Sequence, residues 1–460
     1  MIQKCKSTFR ITMIYPCVGR TASMKKYIKT WQMQPLSIAT IASLIPDDVE
    51  RQFYDDRLEA IAYDEPTDLV FLSVETYTAK RCYQIASEYR KRGIPVVMGG
   101  FHATLCTDEV LEYAESVVVG EAEPVIQNLI DDYRHGTPQR IYKAQSRPEL
   151  TQTMPDRNMF KGKNYINFGL IEFARGCKFK CDFCAIQSYY EGTVNHRPIQ
   201  AVVEEIKRMR KRGQLIFFVD DNICSDLNVA KELMHALIPL KISWVSQGSI
   251  NIAYDEEALV LLRRSGCKGL LVGLESLNPA GLKTMNKGFN LMQGGPEEAL
   301  ANFRKHHLCV YGTFVFGYDN DTYQTFDATL EFARKNGLFI AGLNHLRPFP
   351  GTPLYDRIKN ERRLLYEKWW MDEDYRYDML PFKPANMSAA ELEQMCVDAR
   401  RKFYSWPSIL QRAKCAANRS NLYMFANYLI INAMHRRDVV GRGQMPLGDQ
   451  MHQVQLLKVS

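Results

Sequence analysis

Twice along this chain, short runs rich in β-branched and aromatic residues alternate with runs of helical periodicity. Such alternation folds into parallel sheets, because a strand followed by a helix returns the chain to start its next strand in the same direction. The first series predicts strands over 10–15, 51–54, 69–74, 96–98 and 116–119, with helices over 35–45, 79–92 and 107–114. That pattern is a doubly wound, Rossmann-like α/β domain, which binds ligands at the carboxyl ends of its strands. A polar connector over 136–166 follows, broken at Gly136-Thr-Pro, Arg147-Pro and Met154-Pro. The second series predicts strands over 170–174, 215–219, 242–246, 269–272, 310–316 and 341–347, with helices over 199–211, 227–238, 255–264, 296–306 and 323–335. Six such units make a partial (β/α)6 barrel, two units short of the eightfold one. Beyond 365 the chain turns helical and aromatic. The expected organisation is therefore a first domain over 1–135, a linker over 136–166, a barrel over 167–365 and a helical C-terminal domain over 366–460.

Composition narrows the class. Apolar residues at 46% and charged residues at 24% are those of a globular protein, and exclude a disordered or fibrous one. The apolar run 422–434 is interrupted by Asn427 and Asn432 and falls short of a membrane span. The first residues carry basic side chains without a leader-like apolar core, so a cytoplasmic location is expected. Net charge is modest, 59 − 52 = +7, and no basic stripe points to nucleic acid. Twelve cysteines in a reducing compartment point to metal binding or catalysis rather than disulfides.

Three of those cysteines stand together in Arg175-Gly-Cys177-Lys-Phe-Lys-Cys181-Asp-Phe-Cys184, directly after the first strand of the second series. Thiolates at this spacing can hold three irons of a cubane cluster on one loop, and no fourth cysteine follows locally, leaving one iron open. The alternative is a zinc site of Cys177, Cys181, Cys184 and His196, although that spacing matches no usual finger. The motif, including Phe183 before its last cysteine, resembles the radical S-adenosylmethionine (SAM) superfamily. The resemblance implies a 4Fe–4S cluster whose open iron chelates SAM, and whose electron cleaves SAM to a 5′-deoxyadenosyl radical. It also assigns SAM contacts at strand ends. These are Asp220, Asp221 and Asn222, with Gln247 and Ser249, then Glu275 and Ser276, and Gly317 in Gly312-Thr-Phe-Val-Phe-Gly317. The loop beginning Pro348-Phe-Pro350-Gly351 matches the family's sixth strand end.

A doubly wound domain ahead of such a barrel resembles the cobalamin-binding members of that superfamily. The matching segments hold Ser73, Glu75 and Thr76, then Gly99, Gly100 and His102, then Gly120 and Glu121. The resemblance makes them the lining of a cobalamin pocket, with His102 either a structural residue or a contact to the nucleotide tail. The loop 16–27 lacks the family's Asp-x-His-x-x-Gly motif, so no histidine ligates cobalt from below there. The activity implied is C-methylation of an unactivated carbon of a small molecule, with an electron donor such as flavodoxin or ferredoxin as partner. Alternatives are an oxidative cyclase or ring-rearranging oxidoreductase, a methylthiotransferase using Cys17, Cys82 and Cys106 for a second cluster, and a non-enzymatic sensor with a decayed barrel. Trp369, Trp370, Phe403, Tyr404 and Trp406 suit either a helical core or a substrate pocket.

Overall fold

Strand segments such as Leu69–Ser73 and Val96–Gly99 are apolar nearly throughout, the signature of a sheet covered on both faces. In the computed structural model, which describes residues 8–459 apart from 22–31, 152–153, 212, 440–444 and 452–453, the chain divides into two units. The first holds residues up to 166 together with 368–377 and 444–460. Its strands are β1 (Arg10–Tyr15), β2 (Glu50–Asp55), β3 (Leu69–Ser73), β4 (Val96–Gly99), β5 (Ser116–Val119) and β6 (Ile141–Lys143). All neighbours pair in parallel, in the order β2-β1-β3-β4-β5-β6. The order reverses at β1, and a doubly wound sheet opens its ligand crevice at such a switch, outside the carboxyl ends.

The edge strand β6 lies inside the connector that sequence marks only as polar. Of its three residues only Tyr142 is buried, so its pattern is too short to announce a strand. Its hydroxyl donates to Asp132 at 2.9 Å. The two later segments complete this unit. Gly448–Asp449 pairs in parallel with Gly19–Arg20, and a Cβ on Gly19 would lie 2.0 Å from the Pro446 carbonyl. Trp369, Trp370 and Tyr375 are buried in the same unit.

The second unit holds 167–367 and 378–443. Its strands β7 (Phe168–Ile171), β8 (Leu215–Phe218), β9 (Ser243–Gly248), β10 (Cys267–Glu275), β11 (Cys309–Phe316) and β12 (Ile340–His345) pair in parallel and in chain order. Helices between them complete the βα succession of a partial barrel. The expected strand over 170–174 ends early, at Ile171. Phe173 gives its N–H to the Asp220 carboxylate at 2.7 Å rather than to the sheet, and Ala174–Gly176 forms a short ribbon with Val194–His196. Beyond β12, helices Ala389–Phe403, Trp406–Arg412 and Leu422–Asp438 pack on the same unit, where the Tyr404 hydroxyl donates to the Ala341 carbonyl at 2.9 Å. Residues 366–460 are thus shared between the units. Among the described residues no helix is long and apolar enough to cross a membrane.

Candidate cluster and cofactor sites

The cysteine loop leaves the ribbon at Gly176 and runs to Cys184, the residue before helix Ala185–Tyr190. Gly176 has φ +87°, and a Cβ there would meet the Thr193 carbonyl at 2.2 Å, so only glycine lets the loop depart. The loop is pinned along its length. Asp221 accepts from the Gly176 N–H at 2.7 Å, Ser225 from the Lys178 N–H at 2.9 Å, and the Met285 carbonyl from the Asp182 N–H at 3.2 Å. Asp182 in turn accepts from the Tyr318 hydroxyl at 2.6 Å. Asn222 donates its amide to the Cys177 sulfur at 3.4 Å, a hydrogen bond of the kind that tunes a ligating thiolate.

Burial pushes the Cys181 thiol up to about 12, with Lys287 pulling it down, and burial raises Cys184 as well. Such thiols become anions when a metal binds them, since a coordinating thiol is deprotonated outright. Among the described residues no three His, Cys, Asp or Glu side chains are placed to hold one metal ion. His196, the fourth ligand in the zinc alternative, instead packs against the Phe173 ring at 5.2 Å. Ligands to a cubane each take a different iron, so a cluster does not require the three thiols to converge on one point.

The strand-end residues fall into two groups. Asp221, Asn222, Gln247 and Ser249 form a hydrogen-bonded rim beside the loop. Asn222 donates to Ser249 Oγ at 3.0 Å and accepts from the Ser249 N–H at 3.1 Å, while Gln247 donates to the Asp220 carbonyl at 2.8 Å. Burial pushes the Asp221 carboxyl up to about 6 against the Gly176 hydrogen bond. Glu275 follows a bulge of β10 against β11, has φ +59°, and accepts from Lys287 Nζ at 2.8 Å. The other group is occupied with the scaffold. Asp220 is buried, with one oxygen on Phe173 N–H and the other unpartnered, and burial raises its pKa well above the carboxylate range. Ser276 caps the next turn by accepting from the Asn278 N–H at 3.0 Å. Gly317, at φ +118°, is a turn glycine whose open side faces Leu392 and Phe382.

Sequence reasoning missed Lys287. It is buried, bonded to Glu275, and stands 5.9 Å from the centre of the Phe183 ring, between two of the cysteines in sequence. Nothing local in Met285-Asn-Lys-Gly marks it, since a lysine is mostly exposed and its burial depends on a paired acid twelve residues away.

In the first unit the expected pocket residues gather at the carboxyl edge of the sheet. Gly100 has φ +109°, with the Val74 carbonyl 3.0 Å from where a Cβ would sit. Gly120 has φ +83° with open space around it and gives its N–H to Thr104 at 2.9 Å. Gly100 thus lets the Val74 backbone pass close by, whereas Gly120 leaves backbone accessible to a bulky ligand, which fits a corrinoid tail. Glu75 is exposed and Ser73 half-buried at the same edge. Of the two roles open to His102, its placement favours the structural one: it is fully buried, its ring nitrogens 3.3 Å from Thr76 Oγ1 and from Glu109 Oε1. Thr76 is likewise turned to that contact, and Glu121 is buried against Arg147 at 3.3 Å. Arg20, in the loop after β1, is held by Asp56 at 2.8 Å, and residues 22–27 of that loop lie outside the described residues.

The model of the radical SAM superfamily matches residues 171–333, and that of the B12 binding domain matches 32–130. Bacteriochlorophyllide d C-12(1)-methyltransferase of Chlorobaculum tepidum is 31% identical over 407 residues, covering 86% of this chain and 88% of that protein. Hopanoid C-2 methylase of Rhodopseudomonas palustris is 26% identical, covering 73% and 66%. Among solved structures, the radical S-adenosylmethionine methyltransferase TsrM from Kitasatospora setae, with cobalamin and a 4Fe–4S cluster bound, matches with a TM-score of 0.65 at 14% identity. The match covers 94% of this chain and 99% of that one, and shows the fold. SAM and a 4Fe–4S cluster go with the barrel and cobalamin with the first domain. On a relative nearly one-third identical along most of its length, the chain belongs to the cobalamin-binding radical SAM methyltransferases.

Proposed function

We propose that this methyltransferase acts on an unactivated carbon of an apolar small molecule, with a chlorophyllide-type tetrapyrrole as the substrate class. The observation that carries the substrate class is the 31% identity to a bacteriochlorophyllide methyltransferase over most of both chains. Bound together, the three groups supply a carbon radical on the substrate and a methyl donor for it. The chain's own residues do the positioning. Cys177, Cys181 and Cys184 hold the cluster, and Asn222 fixes the Cys177 sulfur. Asp221, bonded to the loop at Gly176, and Glu275, bonded to Lys287, are the carboxylates suited to an ammonium or hydroxyl of SAM, and charge-assisted bonds of this kind are the strong ones. Lys287 sets a positive charge over the Phe183 ring. At the first unit's edge Ser73, Glu75, Gly99, Gly100 and Gly120 receive the corrinoid's tail. Ordered positioning of this sort is the protein's share where cofactors carry the bond chemistry.

The test is anaerobic reconstitution with iron, sulfide and hydroxocobalamin, then reduction by flavodoxin and incubation with SAM and a bacteriochlorophyllide. Equal yields of S-adenosylhomocysteine, 5′-deoxyadenosine and a pigment heavier by one methylene are expected. Cyclised pigment without S-adenosylhomocysteine would replace methyl transfer by the oxidoreductase reading. Methylation of other apolar compounds with the pigment untouched would overturn the substrate class alone.

A further inference from the structure

Helices apolar around their whole circumference are normally buried, and Leu422–Asp438 departs from that rule. Its inner side packs into a small core with Ile409, Ala417, Met424 and Tyr428. Its outer side carries Tyr423 and Ile430, 59% and 58% exposed, on one stripe, with Leu422 83% exposed at its start. Helix Trp406–Arg412 lies alongside, since Ile409 accepts from the Tyr428 hydroxyl at 2.7 Å and Arg436 stands 5.9 Å from the Trp406 ring centre. It adds Trp406 and Leu410, 49% and 60% exposed and one turn apart. Two adjacent helices of the second unit thus carry five large, exposed apolar side chains.

Charge says what fits there. From 399 to 437 the sequence contains no Asp or Glu, while Arg401, Lys402, Lys414, Arg419, Arg436 and Arg437 are all exposed. Arg401, Lys402 and Arg437 touch acids on the flanks, Asp398, Asp327 and Asp438, at 3.4–3.5 Å. At the start of the long helix, a cleft of about 210 Å³ is lined by Arg263, Lys268, His307, Ser420 and Asn421, again without an acid. Its size and charge suit a phosphate headgroup. A second copy of this chain would bring an equally basic face and be repelled. Apolar side chains with a tryptophan and tyrosine, set in a basic rim, match the interface of an anionic bilayer.

We propose that this face docks the enzyme on anionic lipid, lying on the membrane without crossing it. The test is flotation of the full-length protein with vesicles of phosphatidylcholine alone and of phosphatidylcholine with phosphatidylglycerol, at low and high salt. Binding is expected only to the anionic vesicles, weakening with salt. Two variants read the two contributions: Trp406→Ser/Leu410→Ser/Ile430→Ser for the apolar part, and Lys268→Glu/Arg419→Glu/Arg436→Glu for the charge. Each is expected to lower the bound fraction at least about tenfold, with circular dichroism and thermal unfolding unchanged. Absence of binding to anionic vesicles would overturn the proposal, as would binding that both folded variants retain. Self-association abolished by the apolar variant, without vesicle binding, would overturn it in favour of a copy of this chain.

Discussion

Gly273 is where one missing side chain makes room for a charge. A Cβ there would lie 2.3 Å from Glu275 Oε1 and 2.6 Å from Lys287 Nζ, so the ion pair can form only over glycine. Burial opposes the Lys287 charge, yet the Glu275 carboxylate, by its charge and hydrogen bond, together with Cys181 and Cys184 raises the lysine's pKa, and both cysteines feel it in turn. A fixed cation near a cluster stabilises its reduced, more negative form, since net charge is one of the factors that set cluster potentials. Lys287→Met is expected to lower the cluster's midpoint potential and Glu275→Gln to raise it, measured by redox titration with electron paramagnetic resonance. Equal potentials in both variants would remove the lysine from any electrostatic role. Replacing Cys177, Cys181 or Cys184 with Ala should abolish the brown iron–sulfur absorbance, since three ligands leave no spare. Full cluster content in any one of them would remove that cysteine from the ligand set.

At the scale of elements, the buried carboxylate of Glu109 ties a helix end to a distant segment. It accepts from the Tyr83 hydroxyl at 2.9 Å, the Trp370 indole at 2.8 Å and Lys368 at 3.0 Å, beside His102. Burial opposes its charge, yet hydrogen bonds from His102, Trp370 and Lys368 hold the carboxyl down at about 2, against an ordinary 4.5. A lowered acid stabilises the fold at pH above its unfolded pKa, and that stability is lost as pH falls from about 4.5 towards 2. Glu109→Gln should therefore cost about 3 kcal/mol in denaturant unfolding at neutral pH, a difference that shrinks on acidification. A pH-independent difference would show that the carboxylate's charge is not what the network uses. This network also marks the limit of reading from sequence. The cysteine loop was legible because its residues are contiguous, and the strand ends because parallel βα units put them all on one edge. Trp370 lies 261 residues from Glu109, and neither position carries a local signal of the other. His102 could be a ligand or a scaffold residue by sequence, and only the placement of Thr76 and Glu109 around its ring decides. Lys287 needed the bulge of β10, which turns Glu275 towards it.

For the whole molecule, the division of the chain is the feature with the widest effect. The first unit borrows 368–377 and 444–460, and Gln84 donates to the Asp449 carbonyl at 3.0 Å across 365 residues of chain. Arg81 joins both ends of this join, bonded to Asp56 at 2.9 Å and to Asp449 at 3.4 Å. Deleting 445–459 should leave the second unit folded and open the loop after β1, so that trypsin cuts after Arg20 much faster than in the full chain. Cleavage at an unchanged rate would mean the borrowed strand contributes no protection. For the same reason a fragment ending near 135 is a poor vehicle for cobalamin binding, and the full chain is the one to use. The order of synthesis gives this arrangement a further meaning. On the ribosome the first domain to emerge is the last to be finished, since Gly448–Asp449 is translated after the entire barrel. Until then Gly19–Arg20 has no partner segment, and Arg81 and Gln84 wait for Asp449, while the second domain is still being made.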